Sequence, residues 1–431
     1  MLSAAPTKAG FVVDWKYIDS VAGFRKLAAR SPLLCRLPHG VRGGSRQPVF
    51  NRYMSTRLHA LHAAGQSLWL DFIDRTMLFN GDLKRRIAED ELTGITSNPS
   101  IFEKALAEGS AYDAQLGKLD PSLSERDVFF ELATTDVRNA CDALRSVYDA
   151  TNGADGFVSM EVTPELAHDA DGSVEQARWL HELIDRPNLM IKIPGTVEGA
   201  TAVRALIAAG VNVNITLLFS IEAHARVIEA YIAGLEDRVA AGLPIDKVAS
   251  VASFFVSRVD TAVDRKLGQL AAETSDPARI AALNAMLGRI AIANAKMAYR
   301  LFQASFSGAR WDALAKLGAR VQRPLWASTS TKNPAYRDVV YVEELVGPDT
   351  VNTLPPATIE AFRDHGEVRQ SITENVGEAE RVLAALEASG ISLEVVTDSL
   401  LAEGLVAFER AMATLQDGLA KKRADIVGGG H

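Results

Sequence analysis

The residue with the clearest chemical potential is a lysine set inside an apolar run, Leu189-Met-Ile-Lys192-Ile-Pro194. Burial disfavours the ammonium form of a lysine, so one placed there either meets an anion or gives up its proton. A desolvated lysine is the usual nucleophile toward carbonyl carbon, through a Schiff base. Pro194 and Thr196 follow at once, which places Lys192 near the end of its strand. Schiff-base chemistry also needs groups that move protons at the carbinolamine and at the substrate hydroxyl. Two acids are suitably placed: Asp71, which ends the run Ser67–Phe72, and Glu161, which shares a period-of-two face with Ser159 in Gly156–Val162. In Val211-Asn212-Val-Asn214-Ile-Thr216-Leu217 three polar side chains again fall on one face, where they need a polar ligand, water or one another.

Other chemistries lack their signatures. The chain has no GxGxxG, Walker A, HExxH, paired CxxC or GxSxG pattern. Its eight histidines are scattered, and the closest pair, His59 and His62, falls in a helical stretch before the first strand. Two cysteines cannot make a disulfide framework or a four-ligand zinc site, which suits a reducing compartment. No apolar run reaches membrane-spanning length. A net charge of −8 argues against a whole-chain nucleic-acid binder, though not against a local basic pocket for a phosphorylated metabolite.

The elements that must position these residues alternate along the chain. Short apolar or β-branched runs are expected to be strands at 67–72, 94–98, 156–162, 188–194, 212–219, 248–256, 323–328 and 350–354. Amphipathic stretches lie between them, among them Gly199–Ala209 with Gly210 as a left-handed cap, and a helix opened by a capping box at Ser100–Glu103. Eight strands with intervening helices and no Gly-rich nucleotide loop favour an α/β (β/α)8 TIM barrel over a doubly wound sheet. More than one helix is expected in 258–318, and after Phe362 the chain turns helical to its end. The expected organisation is therefore a catalytic barrel over 54–365 with additional C-terminal helices, 366–431, packed on it.

Residues 1–53 stand apart: nine Lys/Arg against two Asp give +7, leaving −15 on the remainder. This basic segment is read as an upstream translation product ahead of Met54, an Arg-rich targeting segment, or a small folded domain.

Six motifs in register resemble the transaldolase family, in its longer bacterial branch. They are Gly-Ile-Thr-Ser-Asn98-Pro-Ser-Ile-Phe, Val-Ser-Met-Glu161-Val, Leu-Met-Ile-Lys192-Ile-Pro-Gly-Thr, Asn212-Val-Asn214-Ile-Thr216-Leu-Leu-Phe-Ser, Ala-Ser253-Phe-Phe255-Val-Ser-Arg258-Val-Asp and Ala-Ser-Thr-Ser-Thr-Lys332-Asn. The resemblance runs from about Met54 into the C-terminal helices. It implies a pentose-phosphate-pathway transferase moving a dihydroxyacetone unit from sedoheptulose 7-phosphate to glyceraldehyde 3-phosphate, with no cofactor or metal. Cytoplasmic location, sugar-phosphate substrates and a monomer or homodimer go with it; nucleic acid and membrane do not. It also implies roles: Lys192 for the Schiff base, Asp71 for acid/base work at the donor hydroxyl, and Glu161 with Thr216 for a catalytic water. Asn98 and Asn214 would hold the dihydroxyacetone part, Phe255 would shape the site, and Ser253, Arg258 and Lys332 would hold phosphate. Lysine at the last position keeps the charge but lacks an arginine's bidentate fork. Two other readings share these residues: an aldolase that releases dihydroxyacetone to water, and a non-catalytic barrel that binds sugar phosphates.

Overall fold

The computed structural model describes residues 56–107 and 110–428, so the expectation for residues 1–53 lies outside the described residues. Eight strands follow one another in chain order: β1 (Gln66–Leu70), β2 (Leu92–Ile95), β3 (Phe157–Glu161), β4 (Leu189–Pro194), β5 (Val213–Leu218), β6 (Ser250–Phe255), β7 (Arg323–Ala327) and β8 (Thr350–Leu354). They close into a single barrel in the order β1 to β8, every pairing parallel. The runs expected to be strands are the strands. Parallel strands with helices on their outer face are buried on both sides, which explains why they read as continuous apolar runs.

The helices follow the sequence signals with one exception. Gly210 caps Val197–Ala209 at φ 86°, a left-handed conformation in which glycine lacks the Cβ penalty. Ser100 and Glu103, by contrast, do not open their helix. It runs Pro99–Ala107, and the Asn98 side chain accepts from the Ile101 amide at 3.0 Å, so Asn98 does the capping. Proline at the first helical position, preceded by asparagine, outcompetes the capping box two residues later. Between β6 and β7 lie the helices Ser257–Ala272, Pro277–Asn284, Ile290–Ser305 and Gly308–Ala315.

The barrel interior is filled at its N-terminal end by Trp69, which is fully buried. Gly94 pairs with it across β1 and β2, and a Cβ on Gly94 would lie 2.4 Å from the indole ring. Glycine in β2 is thus the room that lets a tryptophan plug the floor. After β8 come the helices Pro356–His365, Val376–Ala388 and Leu393–Gly428. Val376–Ala388 packs on Ile290–Ser305. The long final helix crosses the barrel mouth, packs on Pro99–Ala107 and sets Gly404 against Leu217.

Candidate active site

Parallel register sets the central residues at one level. Glu161 pairs with Lys192 across β3 and β4, Lys192 with Asn214 across β4 and β5, and Pro194 with Thr216. All lie toward the C-terminal ends of their strands, the end at which such barrels build sites. Lys192 is 5% exposed; its Nζ donates to the Ser97 carbonyl at 3.0 Å and to Glu161 Oε2 at 3.2 Å. Burial pushes the Glu161 carboxyl above the ordinary range, with Lys192 pulling the other way. Asp71, the residue after β1, is raised by the same cause, opposed by Lys192, by a hydrogen bond from Thr96 and by the Lys332 and Arg258 charges. Its Oδ1 accepts from Thr96 Oγ1 at 2.8 Å.

These residues surround one cavity of about 460 Å³ at the barrel mouth. Asp71, Asn98, Lys192, Thr216, Ser253, Phe255, Arg258 and Lys332 line it. Glu161 joins through Lys192, and Asn214 lies below, donating to Ser159 at 3.0 Å and accepting from Ser253 at 2.7 Å. That chain spans β3, β5 and β6 and fixes which way the Asn214 amide points. Thr216 is fully buried, yet its hydroxyl has no partner among the described residues. A buried hydroxyl facing a cavity is a group that a ligand or water must satisfy. Beside it Leu217 is left-handed, φ 59°, and the β5–β6 register shifts between Ile215 and Leu218. Ser328, on the cavity wall just past β7, is left-handed as well, φ 54°. Such backbone strain in non-glycine residues concentrates at functional sites.

Arg258 lies in the first turn of the helix after β6, its guanidinium 5.4 Å from the centre of the Phe255 ring, which in turn packs on Phe219. The two acids that follow it on that helix do not neutralise it. Asp260 accepts from the Tyr341 hydroxyl at 2.8 Å and the Ala291 amide at 2.7 Å, while Asp264 accepts from Tyr336 at 2.7 Å and Gly288 at 3.0 Å. Burial pulls the Arg258 guanidinium below its ordinary value, with Glu403 and Asp71 opposing. Lys332 stands at the rim and donates to Ser330 at 2.7 Å. Desolvation, and then the Arg258 charge, lower its ammonium.

One predicted polar residue lies elsewhere. Asn212 precedes β5 at the barrel floor, where it bonds the carbonyls of Pro187 and Leu189 and the amide of Ala249. Sequence reasoning missed Thr96, Ser330, Lys104 and Phe408, all of which line the cavity. Thr96 was findable, two residues before Asn98 on the same face; Ser330 was findable two before Lys332. Phe408 had no local signal, since the final helix brings it from far along the chain.

Among the described residues no group of three or more His, Cys, Asp or Glu is arranged to hold a metal ion, and no helix is long and apolar enough to cross a membrane. The model of a family described as Transaldolase/Fructose-6-phosphate aldolase matches residues 68–419. The transaldolase of Thermobifida fusca is 47% identical over 373 residues, 86% of this chain and 99% of that protein. The transaldolase of Mycobacterium marinum is 48% identical over 363 residues, covering 84% and 95%. Transaldolase 2 of a Nostoc species is 47% identical over 362 residues, covering 83% and 95%.

Proposed function

The chain belongs to the transaldolase/fructose-6-phosphate aldolase family, and from that premise we propose how its cavity carries the reaction. It is an enzyme, a transferase of transaldolase type. Lys192 Nζ adds to the C2 carbonyl of a ketose phosphate such as sedoheptulose 7-phosphate, and the carbinolamine loses water to give a Schiff base. Glu161, the carboxyl in contact with Nζ, exchanges protons with the amine and, with the Thr216 hydroxyl, holds the water that leaves and later returns. Asp71 takes the proton of the C4 hydroxyl. The C3–C4 bond breaks, its electrons move into the iminium, and the aldehyde departs, leaving a three-carbon enamine on Lys192. Glyceraldehyde 3-phosphate then enters, the enamine carbon adds to its carbonyl, and Asp71 returns the proton. Hydrolysis frees fructose 6-phosphate.

Asn98 and Asn214 are assigned to the hydroxyls of the three-carbon unit and Phe255 to the cavity wall. The Ser253 hydroxyl already donates to Asn214, so it supports that amide. Ser330, whose oxygen accepts from Lys332, keeps its own O–H for phosphate beside Lys332 and Arg258. No cofactor enters the scheme. Cytoplasmic location, and a monomeric or homodimeric state, are part of the same reading.

The observation that carries it is a buried lysine at a strand end with two desolvated carboxyls around one cavity. Borohydride trapping with fructose 6-phosphate should add a stable mass to the peptide containing Lys192, and Lys192→Ala and Lys192→Arg should abolish it. Labelling of another lysine would sink the assignment. Turnover that depends on added aldehyde separates transfer from release to water. The same trapping in a chain beginning at Met54 tests the proposal that residues 1–53 are an appendage which the chemistry does not need.

A further inference from the structure

The helix Pro99–Ala107 offers the cavity more than Asn98. Ser100, Ile101 and Lys104 line the cavity, at positions i, i+1 and i+4 of one helical face, while Phe102 and Leu106 point into the core. Lys104 is exposed at the mouth and makes no hydrogen bond or ion pair with any described residue. It is close enough to Lys332 for the two charges to repel. Three separate elements thus bring cations to one opening: Lys104 from the helix after β2, Arg258 from the helix after β6, and Lys332 from the loop after β7. The acids facing them are few. Glu403 acts on Arg258 from the final helix, and Asp71 lies deeper, beside Lys192.

Like charges held together around a cavity are a standing electrostatic cost that a bound anion relieves. A lone Arg–Lys pair is enough for one phosphate. A third cation, brought by a separate element, makes the opening a cradle with charges from three elements of the barrel mouth, suited to a dianion. We infer that Lys104 is a third phosphate-reading residue, a specificity determinant that favours phosphorylated substrates over their unphosphorylated counterparts. Its helix ties this role to the neighbouring carbons, because the same element begins with Asn98, assigned above to the three-carbon unit. Phosphate position and sugar position are then set partly by one rigid body. This inference rests on the proposed Schiff-base reading for its substrate class.

The test uses the full chain and inorganic phosphate as probe, measured as a competitive inhibitor against fructose 6-phosphate. Lys104→Met should raise the phosphate inhibition constant about three- to tenfold, the scale of losing one partly solvated charge contact. Lys104→Arg should restore it to within about twofold, since the charge returns. The kcat/KM for fructose 6-phosphate should fall by the same factor relative to that for fructose. An unchanged phosphate constant in Lys104→Met would overturn the inference, as would equal losses for both sugars. If borohydride trapping at Lys192 failed in the parent chain, the Schiff-base reading would fall. Trapping that persists alongside an unmoved phosphate constant refutes Lys104 alone.

Discussion

Two carboxyls at opposite ends of β3 live in contrasting surroundings. Asp155, just before the strand at the barrel floor, accepts from the Trp69 indole at 2.8 Å, from Ser67 Oγ and from the Gly156 amide at 3.1 Å, with Arg323 3.5 Å away. Arg323 in turn bonds Ser67 at 2.7 Å, so the network closes on itself. Glu161, at the other end of the strand, has Lys192 as its one partner among the described residues. Both acids are buried. The floor acid is satisfied from several directions and fixed; the mouth acid is desolvated with spare lone pairs. Saturation of a buried acid fits a structural role, and under-saturation beside a cavity fits the proton transfer proposed for Glu161.

The sharpest way to break this comparison is to neutralise each acid. Glu161→Gln should slow Schiff-base formation, and Asp71→Asn should allow trapping while slowing carbon–carbon cleavage, each losing on the order of 10²–10⁴ in turnover. Neither variant should lower the melting temperature much, because each removes a poorly solvated charge while its amide oxygen still accepts from Lys192 or Thr96. Asp155→Ala should do the reverse. It strands the Trp69 N–H and the Arg323 guanidinium, each orphaned group costing about 1–3 kcal/mol. The melting temperature should drop by several degrees while turnover below it persists. Near-native turnover in both mouth variants would make those carboxyls structural and overturn the mechanism.

A smaller effect is expected at the proposed phosphate cradle. Arg258 is half-buried against Phe255 and makes no ion pair with Asp260 or Asp264, so its charge faces the cavity uncompensated by them. Arg258→Ala should raise KM for phosphorylated donors about 10–100-fold, the scale of a charged hydrogen bond. Steady-state kinetics with fructose 6-phosphate and fructose separate phosphate reading from support of the fold: equal losses on both would assign Arg258 to the fold.

The mouth of the barrel was more legible in the sequence than its lid. Lys192, Glu161, Asn214 and Thr216 interrupt apolar strands with a period of two, and strand alternation converts that spacing directly into one interior face. The eight strands were legible for the same reason, since burial on both sides leaves an unbroken apolar run. The saturated role of Asp155 was not, because its partners Trp69 and Arg323 lie far away in the chain and meet it only when the barrel closes. The capping of Pro99–Ala107 by Asn98 was misread because two adjacent signals competed. Phe408 and Glu403 were invisible for a third reason: their helix carries an ordinary amphipathic pattern, and only the chain path takes it across the mouth.

Asp260 supplies the finest test, because it is desolvated like Glu161 but has no access to the cavity. It is 1% exposed, faces Tyr341, the Ala291 amide and, along its helix, Asp264, and has no cation in contact. Burial pushes its carboxyl up to about 7; the Ala291 hydrogen bond opposes the shift and Asp264 adds to it. In the unfolded chain the same carboxyl titrates near 4. Between these values the folded state holds a proton that the unfolded state has released, so the stability it contributes is complete below about pH 4 and disappears as pH rises through 7. Asp260→Asn imitates the protonated form at every pH. The variant's melting temperature should therefore exceed that of the parent by a few degrees at pH 8, and the gap should narrow steadily below about pH 7 and close only near pH 4. Its turnover should match the parent's, since a raised acid that touches no substrate moves no substrate proton. A gap that stayed constant across this range would show that Asp260 does not titrate there. A large loss of turnover with the fold intact would break the rule drawn from the two ends of β3, because cavity access would then not be what separates a catalytic carboxyl from a merely buried one.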